Sequence, residues 1–267
     1  MSSPRVRALR KAVRGLLLFV VGVIALLAIE ALIAIATVPD DDYRAPSSAP
    51  QPFGPAGKPL RFVVLGDSTA TGRGAPYAAG IALAAARHLA ARGALTLTNL
   101  AVSGARLGGV RRHQLPAAAR LAPDVVLIAA GANDVTGLTR LSSAADHLRE
   151  IAAALRAARC EVAIVVTASP DIGSAPRLAQ PLRTVAGWRT EQLNDALQDV
   201  VRERDLVLAP IARRTGRRFR ADRSLFAADG FHPSAAGYAT WVPVIEEALD
   251  RALGRSGTPP SACLRGR

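Results

Sequence analysis

The chain has 267 residues, half of them hydrophobic, which suffices for one sizeable folded domain and additional segments. Its formal net charge is +13, but the arginines are scattered and accompany no zinc-finger spacing or aromatic RNA-binding motif, so nucleic-acid binding is not expected. Glycine and proline are frequent without a repeat, which excludes collagen-like and low-complexity proteins.

Two cysteines, Cys160 and Cys263, are too few for a disulfide framework. Cys160 opens an apolar run and is predicted to be a buried small side chain, while the sequence leaves open whether the two cysteines pair. Histidine, cysteine and acidic residues show no metal-ligand spacing, so we expect neither a metal nor another cofactor.

The N-terminal segment has the pattern of a membrane span. Residues 1–14 carry five basic side chains and no acid, and residues 15–38 are apolar apart from Glu30. The run Leu16–Val38 is long enough to cross a bilayer core. Because basic flanks remain in the cytoplasm, everything after this run is predicted to lie outside. A retained transmembrane signal-anchor is therefore expected, with a cleaved signal peptide as the alternative, since residues 34–36 resemble a cleavage site.

Proline-rich residues 39–60 are predicted to form an extended linker, followed by a domain at 61–254 and a tail at 255–267. Within the domain, short apolar runs alternate with segments of helical spacing. Strands are predicted at residues 61–66, 95–102, 124–130, 161–168 and 206–209, and helices at 76–92, 107–121 with an interruption at Pro116, 142–159, 185–204 and 234–253. Ser142 and Ser234 are the expected caps of two helices. The alternation predicts an α/β fold whose parallel sheet of about five strands is covered on both faces.

Polar residues follow three of these strands and precede the last helix. The four blocks are GDSTATG (66–72), NLAVSG (99–104), GAND (131–134) and DGFHPS (229–234). Because ligands of such sheets bind beyond the carboxyl ends of the strands, we expect the four blocks to converge there.

Each block offers a group that acyl transfer requires. Ser68 is a candidate nucleophile, and His232 can take its proton as general base. Asp229, three residues earlier, can orient the imidazole. The backbone N–H groups of Ser68 and Gly104 and the side-chain amide of Asn133 can form an oxyanion hole.

In this order, the blocks resemble those of the SGNH hydrolases, the GDSL-like esterases and lipases named for serine, glycine, asparagine and histidine. The resemblance covers roughly residues 61–253. It implies a three-layer α/β/α sheet of flavodoxin-like order and hydrolysis of esters or related acyl compounds without a metal. It also implies catalytic roles for Ser68, Gly104, Asn133, Asp229 and His232. Ser68 lacks a G-x-S-x-G elbow, which argues against the ordinary α/β-hydrolase fold.

The sequence thus predicts an exported esterase, lipase or deacylase acting on a small-molecule, lipid or glycan ester. The same residues would serve an acyltransferase with a sugar or lipid acceptor, and an inactive envelope-binding module is the non-enzymatic alternative. Asp67 and Asp134 are expected to be structural. A preference for anionic substrates is a further hypothesis, resting on arginines near the expected rim: Arg73, Arg106, Arg111 and Arg112.

Overall fold

The computed structural model describes residues 4–36 and 43–255 and contains an N-terminal helix and an α/β domain. Helix α1 (Pro4–Ala36) covers the predicted membrane segment, and its stretch Arg10–Ala34 is long and apolar enough to cross a membrane. Of the predicted tail, only Arg255 is described, as the last residue of the C-terminal helix; the residues from 256 onward and positions 37–42 lie outside the described residues.

A six-stranded sheet of order β1-β3-β2-β4-β5-β6 forms the centre of the domain. The strands are β1 (Gln51–Phe53), β2 (Leu60–Gly66), β3 (Leu95–Asn99), β4 (Val125–Ala129), β5 (Ala163–Val166) and β6 (Val207–Leu208). The five strands from β2 onward are parallel, and β1, from the segment predicted as linker, pairs antiparallel with β3. The parallel strands have the flavodoxin-like order, which confirms the predicted fold class.

Helices cover both faces of the sheet. They are α2 (Ile81–Ala90), α3 (Leu107–Gly109), α4 (Leu115–Leu121), α5 (Ala132–Thr136), α6 (Leu141–Ala158), α7 (Leu182–Glu203), α8 (Ile211–Ala221) and α9 (Ala235–Arg255). Alternate β2 side chains enter separate cores: Val63 and Leu65 pack with α3–α7, and Phe62 and Val64 pack with α2, α8 and α9. Two apolar layers on opposite faces explain why the buried strands read as continuous apolar runs.

The predicted helix 107–121 is interrupted just before Pro116, where the π-helical turn Val110–Gln114 separates α3 from α4. Pro116 itself lies in the first turn of α4, where a missing N–H is tolerated. A prediction about another helix is wrong. Ser142 does not cap α6, which begins one residue earlier, after an extended Arg140.

The prediction for Cys160 is also wrong. This residue lies in the turn after α6, where it is exposed instead of buried. It is disulfide-bonded, and the chain's other cysteine, Cys263, lies outside the described residues.

The end of β2 is held by a side chain from the helical layer. A π-helical turn, Val110–Gln114, joins α3 to α4 and directs the buried Gln114 toward the sheet. Its Oε1 accepts a hydrogen bond from the N–H of Gly66 (2.8 Å), and its Nε2 donates to the carbonyl of Gly66 (2.8 Å). Gly66 has φ +149°, and a Cβ atom there would lie 1.9 Å from the carbonyl oxygen of Ala129. The backbone therefore leaves the strand in one defined direction.

Replacing Gln114 by alanine should lower the free energy of unfolding by about 1–3 kcal/mol, because the buried N–H of Gly66 loses its acceptor. Chemical denaturation of the full chain in detergent measures this loss. Gln192→Ala, a half-buried glutamine on α7, should change stability much less. Equal effects of the two substitutions would contradict the assigned role of Gln114.

Candidate active site

Ser68 lies in the turn that follows β2 and is buried. The turn is fixed to the sheet by a hydrogen bond from the N–H of Asp67 to the carbonyl of Ala129 (2.9 Å). Oδ1 of Asp67 accepts hydrogen bonds from the N–H (2.9 Å) and hydroxyl (2.8 Å) of Thr69. The carbonyl of Ser68 accepts one from the N–H of Arg73 (3.0 Å). These bonds fix the backbone of the turn, and the hydroxyl of Ser68 is directed at a partner across the cleft.

That partner is His232, whose Nε2 lies 2.9 Å from Oγ of Ser68. On the other side of the imidazole ring, Nδ1 lies 2.5 Å from Oδ2 of Asp229. Serine and histidine are 164 positions apart in the chain, so the fold alone joins them. Hydroxyl, imidazole and carboxylate form one continuous hydrogen-bonded chain.

The loop that carries the histidine is held by its own backbone. The second carboxylate oxygen of Asp229 accepts hydrogen bonds from the N–H groups of Phe231 (2.8 Å) and His232 (2.9 Å). Ser234 caps α9 as predicted, since its Oγ accepts from the N–H of Gly237 (3.2 Å). The loop and the start of α9 thus set the direction of the imidazole.

Arg177 is a site residue that sequence reasoning missed. Its Nε donates to the backbone carbonyl of Asp229 (2.8 Å), and its Nη2 lies 3.3 Å from Oδ2 of the same residue. Its guanidinium lies over the ring of Phe231, 5.3 Å from the centroid. The loop between β5 and α7 that contains Arg177 bears no motif, so its partner could not be read from the sequence.

The electrostatics of the two carboxyl groups differ. Burial alone would raise the pKa of Asp229, but hydrogen bonds from His232 and two backbone N–H groups hold it well below its ordinary value. Asp229 is therefore ionised at neutral pH. Burial raises the pKa of Asp67 to about 6, against the opposing hydrogen bonds from Thr69. Asp67 thus titrates in a range where activity is commonly measured.

Gly104 lies in the loop after β3 at the same edge of the sheet. Its φ is +83°, which favours glycine, and a Cβ atom there would meet no atom within 4 Å. The N–H of Val102 donates to the carbonyl of Gly66 (3.1 Å), which ties this loop to the end of β2. The loop therefore presents exposed backbone beside the turn that carries Ser68.

Asn133 lies in the short helix α5, directly after β4. Its Nδ2 donates to the carbonyl of Ala105 (3.2 Å), which joins the asparagine and glycine blocks. The neighbouring Asp134 accepts from the N–H of Leu107 (2.9 Å). The hydroxyl of Ser68 bonds to His232, whereas the amide of Asn133 bonds to the loop that carries Gly104.

Ser68 and His232 border an apolar cleft. Aromatic and aliphatic side chains form most of its wall: Ile172, Ala175, Phe219, Phe226, Phe231 and Trp241. Hydrocarbon bound there would be withdrawn from water beside the hydroxyl of Ser68.

The four arginines of the anionic-substrate hypothesis lie in different surroundings. Arg111 pairs with Glu150 of α6 (2.6 Å), away from the cleft, and Arg112 is exposed. Arg73 lies over the ring of Tyr43, 5.3 Å from its centroid. The guanidinium of Arg106 packs beside the last turn of α5. The four side chains therefore do not form one cluster.

The sequence matches the model of the GDSL-like lipase/acylhydrolase family over residues 64–240. A GDSL-like esterase of Mycobacterium tuberculosis is 34% identical over 200 residues, which are 73% of this chain and 63% of that protein. The chain thus spans less than two thirds of the length of this relative.

Solved structures share the fold. A lipolytic protein of the G-D-S-L family from Veillonella parvula has a TM-score of 0.58 at 17% identity, covering 72% of this chain and 98% of that one. Phospholipase A1 from Streptomyces albidoflavus has a TM-score of 0.54 at 19% identity, covering 72% and 100%. The likeness to these structures concerns the fold, and the match over residues 64–240 shows that the chain belongs to the GDSL-like lipase/acylhydrolase family.

Proposed function

We propose that the protein is a carboxylic ester hydrolase that uses Ser68 as nucleophile, His232 as general base and Asp229 as the orienting carboxylate. The observation that carries this proposal is the hydrogen-bonded chain from the hydroxyl of Ser68 through the imidazole to the carboxylate. Membership of the GDSL-like family supports the same reaction class.

In the first half of the reaction, Oγ of Ser68 attacks the ester carbonyl carbon while Nε2 of His232 takes the hydroxyl proton. The ionised Asp229 stabilises the imidazolium that forms. Negative charge develops on the carbonyl oxygen, which would accept hydrogen bonds from the N–H groups of Ser68 and Gly104 and the amide of Asn133. When the C–O bond breaks, the imidazolium gives its proton to the departing alcohol.

In the second half, water replaces the alcohol. His232 takes a proton from the water molecule, the resulting hydroxide attacks the acyl carbon, and the carboxylic acid leaves as Ser68 regains its proton. An alcohol acceptor in place of water would make the same site an acyltransferase. The apolar wall of the cleft suits the hydrocarbon part of an acyl group.

We further propose that α1 is retained as a membrane anchor and that the domain lies outside the cytoplasmic membrane. The support is the length and apolar character of Arg10–Ala34 and the five basic residues among positions 1–14, at and before the start of this stretch. Proteolysis of the domain in intact spheroplasts tests the topology, and protection from the protease would contradict it.

Ser68→Ala should lower kcat/KM for p-nitrophenyl esters by roughly 10³-fold or more, because the attacking oxygen is lost. Ser142→Ala, an exposed serine on α6, is the matched control and should retain full activity. Full-length enzyme in detergent is assayed with and without an alcohol acceptor, and ester product would reveal acyl transfer. Undiminished hydrolysis by Ser68→Ala would contradict the proposal.

The pH profile tests the assigned base. Activity should fall toward acid pH, because a protonated His232 cannot accept the proton of Ser68. Burial raises the pKa of Asp67 to about 6, so the profile is repeated with Asp67→Asn. An acid limb that persists in this variant assigns the limb to His232, and its disappearance would assign it to Asp67.

A further inference from the structure

Helix α1 is attached to the domain through its charged residue. Oε2 of Glu30 accepts a hydrogen bond from the backbone N–H of Leu182, the first residue of α7, at 2.9 Å. Glu30 is 9% exposed, and Ala34, one turn later, belongs to the same hydrophobic cluster as Leu178 and Ala186. The last turns of α1 therefore pack on the domain.

This contact explains an acidic residue in an apolar helix. A carboxylate at membrane depth is costly unless it has a partner. The start of α7 offers an N–H group without an intrahelical acceptor and the positive end of the helix dipole. Glu30 follows Arg14 by 16 residues, or about 24 Å of helix, within a hydrocarbon core of about 30 Å. Leu182 would then lie near the outer boundary of the hydrocarbon.

The attachment point is close to the cleft along the chain. Ala175, seven residues before Leu182, lines the cleft beside Ser68. Between them, Arg177 contacts Asp229 through its side chain. Residues 175–182 thus connect the cleft to the anchor and also support the carboxylate of Asp229.

A second contact joins the segment after α1 to the turn that carries Ser68. Tyr43, the first described residue beyond α1, has its ring under the guanidinium of Arg73. The N–H of Arg73 donates to the carbonyl of Ser68 (3.0 Å). The segment after α1 therefore contacts the arginine whose N–H binds the carbonyl of Ser68.

The exposed apolar side chains of the domain are concentrated at the carboxyl edge of the sheet. Among the described residues after α1, four large hydrophobic side chains are more than a third exposed: Val102 (55%), Leu138 (73%), Val185 (38%) and Trp188 (60%). Val102 follows β3, Leu138 follows α5, and the other two lie in the first turns of α7. All four thus lie toward the carboxyl edge of the sheet. Tryptophan is enriched where proteins meet the membrane interface.

From these placements we infer that the carboxyl edge of the sheet faces the bilayer that α1 spans, and that the substrate is an acyl ester of a lipid held in that bilayer. The inference rests on the proposed hydrolase function and on retention of α1. The ester reaches Ser68 from the membrane side, with its acyl chain against the apolar wall of the cleft, and Ser68 attacks its carbonyl as described above. A water-soluble ester reaches the same hydroxyl without contact with the edge.

The orientation is tested with the full chain reconstituted into phosphatidylcholine vesicles whose acyl chains carry bromine near the headgroup. The chain has two tryptophans, Trp188 and the buried Trp241. Bromine should quench the emission of Trp188, and most of this quenching should be lost in Trp188→Phe, whose remaining Trp241 is buried in the wall of the cleft. Equal quenching of the wild type and this variant would overturn the orientation.

The substrate class is tested by comparing phosphatidylcholine in the vesicles with p-nitrophenyl butyrate in solution. Trp188→Ser combined with Val185→Ser should lower hydrolysis of the vesicle lipid roughly tenfold, because the apolar contact with the bilayer is weakened. Hydrolysis of the soluble ester should stay unchanged, and Trp188→Phe, which keeps an apolar ring, should retain both activities. An equal loss on both esters, or no loss on either, would overturn the inference.

The two proposals fail in distinguishable ways. If Ser68 supports hydrolysis of the soluble ester but the vesicle lipid is not hydrolysed, only the proposal of a lipid substrate is overturned. Absence of Ser68-dependent hydrolysis of both esters would overturn the hydrolase function, and the substrate class with it, while tryptophan quenching would still decide the orientation.

Discussion

The hydrogen bonds at the end of β2 determine where the hydroxyl of Ser68 lies. Gln114 holds both backbone polar groups of Gly66, and the close approach of Ala129 admits no Cβ atom there. The turn that follows lies between the ends of β3 and β4, at the point where the order of the parallel strands reverses. The glycine and asparagine blocks follow those two neighbouring strands. Loss of this constraint would move the hydroxyl relative to every group proposed to act on it.

The other half of the site, across from Ser68, depends on the partly buried carboxylate of Asp229, which its neighbours hold in place. Hydrogen bonds from two backbone N–H groups and from the imidazole keep Asp229 ionised despite burial. Arg177 adds a cation at 3.3 Å and reaches the backbone of the same residue. Because the chain continues from Arg177 to the first turn of α7, where Glu30 binds, support of the carboxylate and attachment of the anchor share one segment.

Much of the architecture was predictable because its signals are local. Continuous apolar runs marked the parallel strands, and the four polar blocks marked their carboxyl ends, so the fold class and the proposed roles of Ser68 and His232 could be stated from sequence. Helix α8 was missed, since its buried residues Ile211, Thr215 and Phe219 are separated by arginines. Gln114 and Arg177 were missed because their partners are distant in the chain and only the folded backbone brings them together.

The central claim is that His232 activates Ser68 for attack on an acyl carbon. It is tested most directly by exposing the full chain in detergent to a fluorophosphonate, which forms a covalent adduct with an activated serine, and locating the adduct by mass spectrometry of peptides. We expect one adduct on Ser68, formed far more slowly in His232→Ala. An adduct on another residue, no adduct, or a rate that is unchanged by His232→Ala would contradict it.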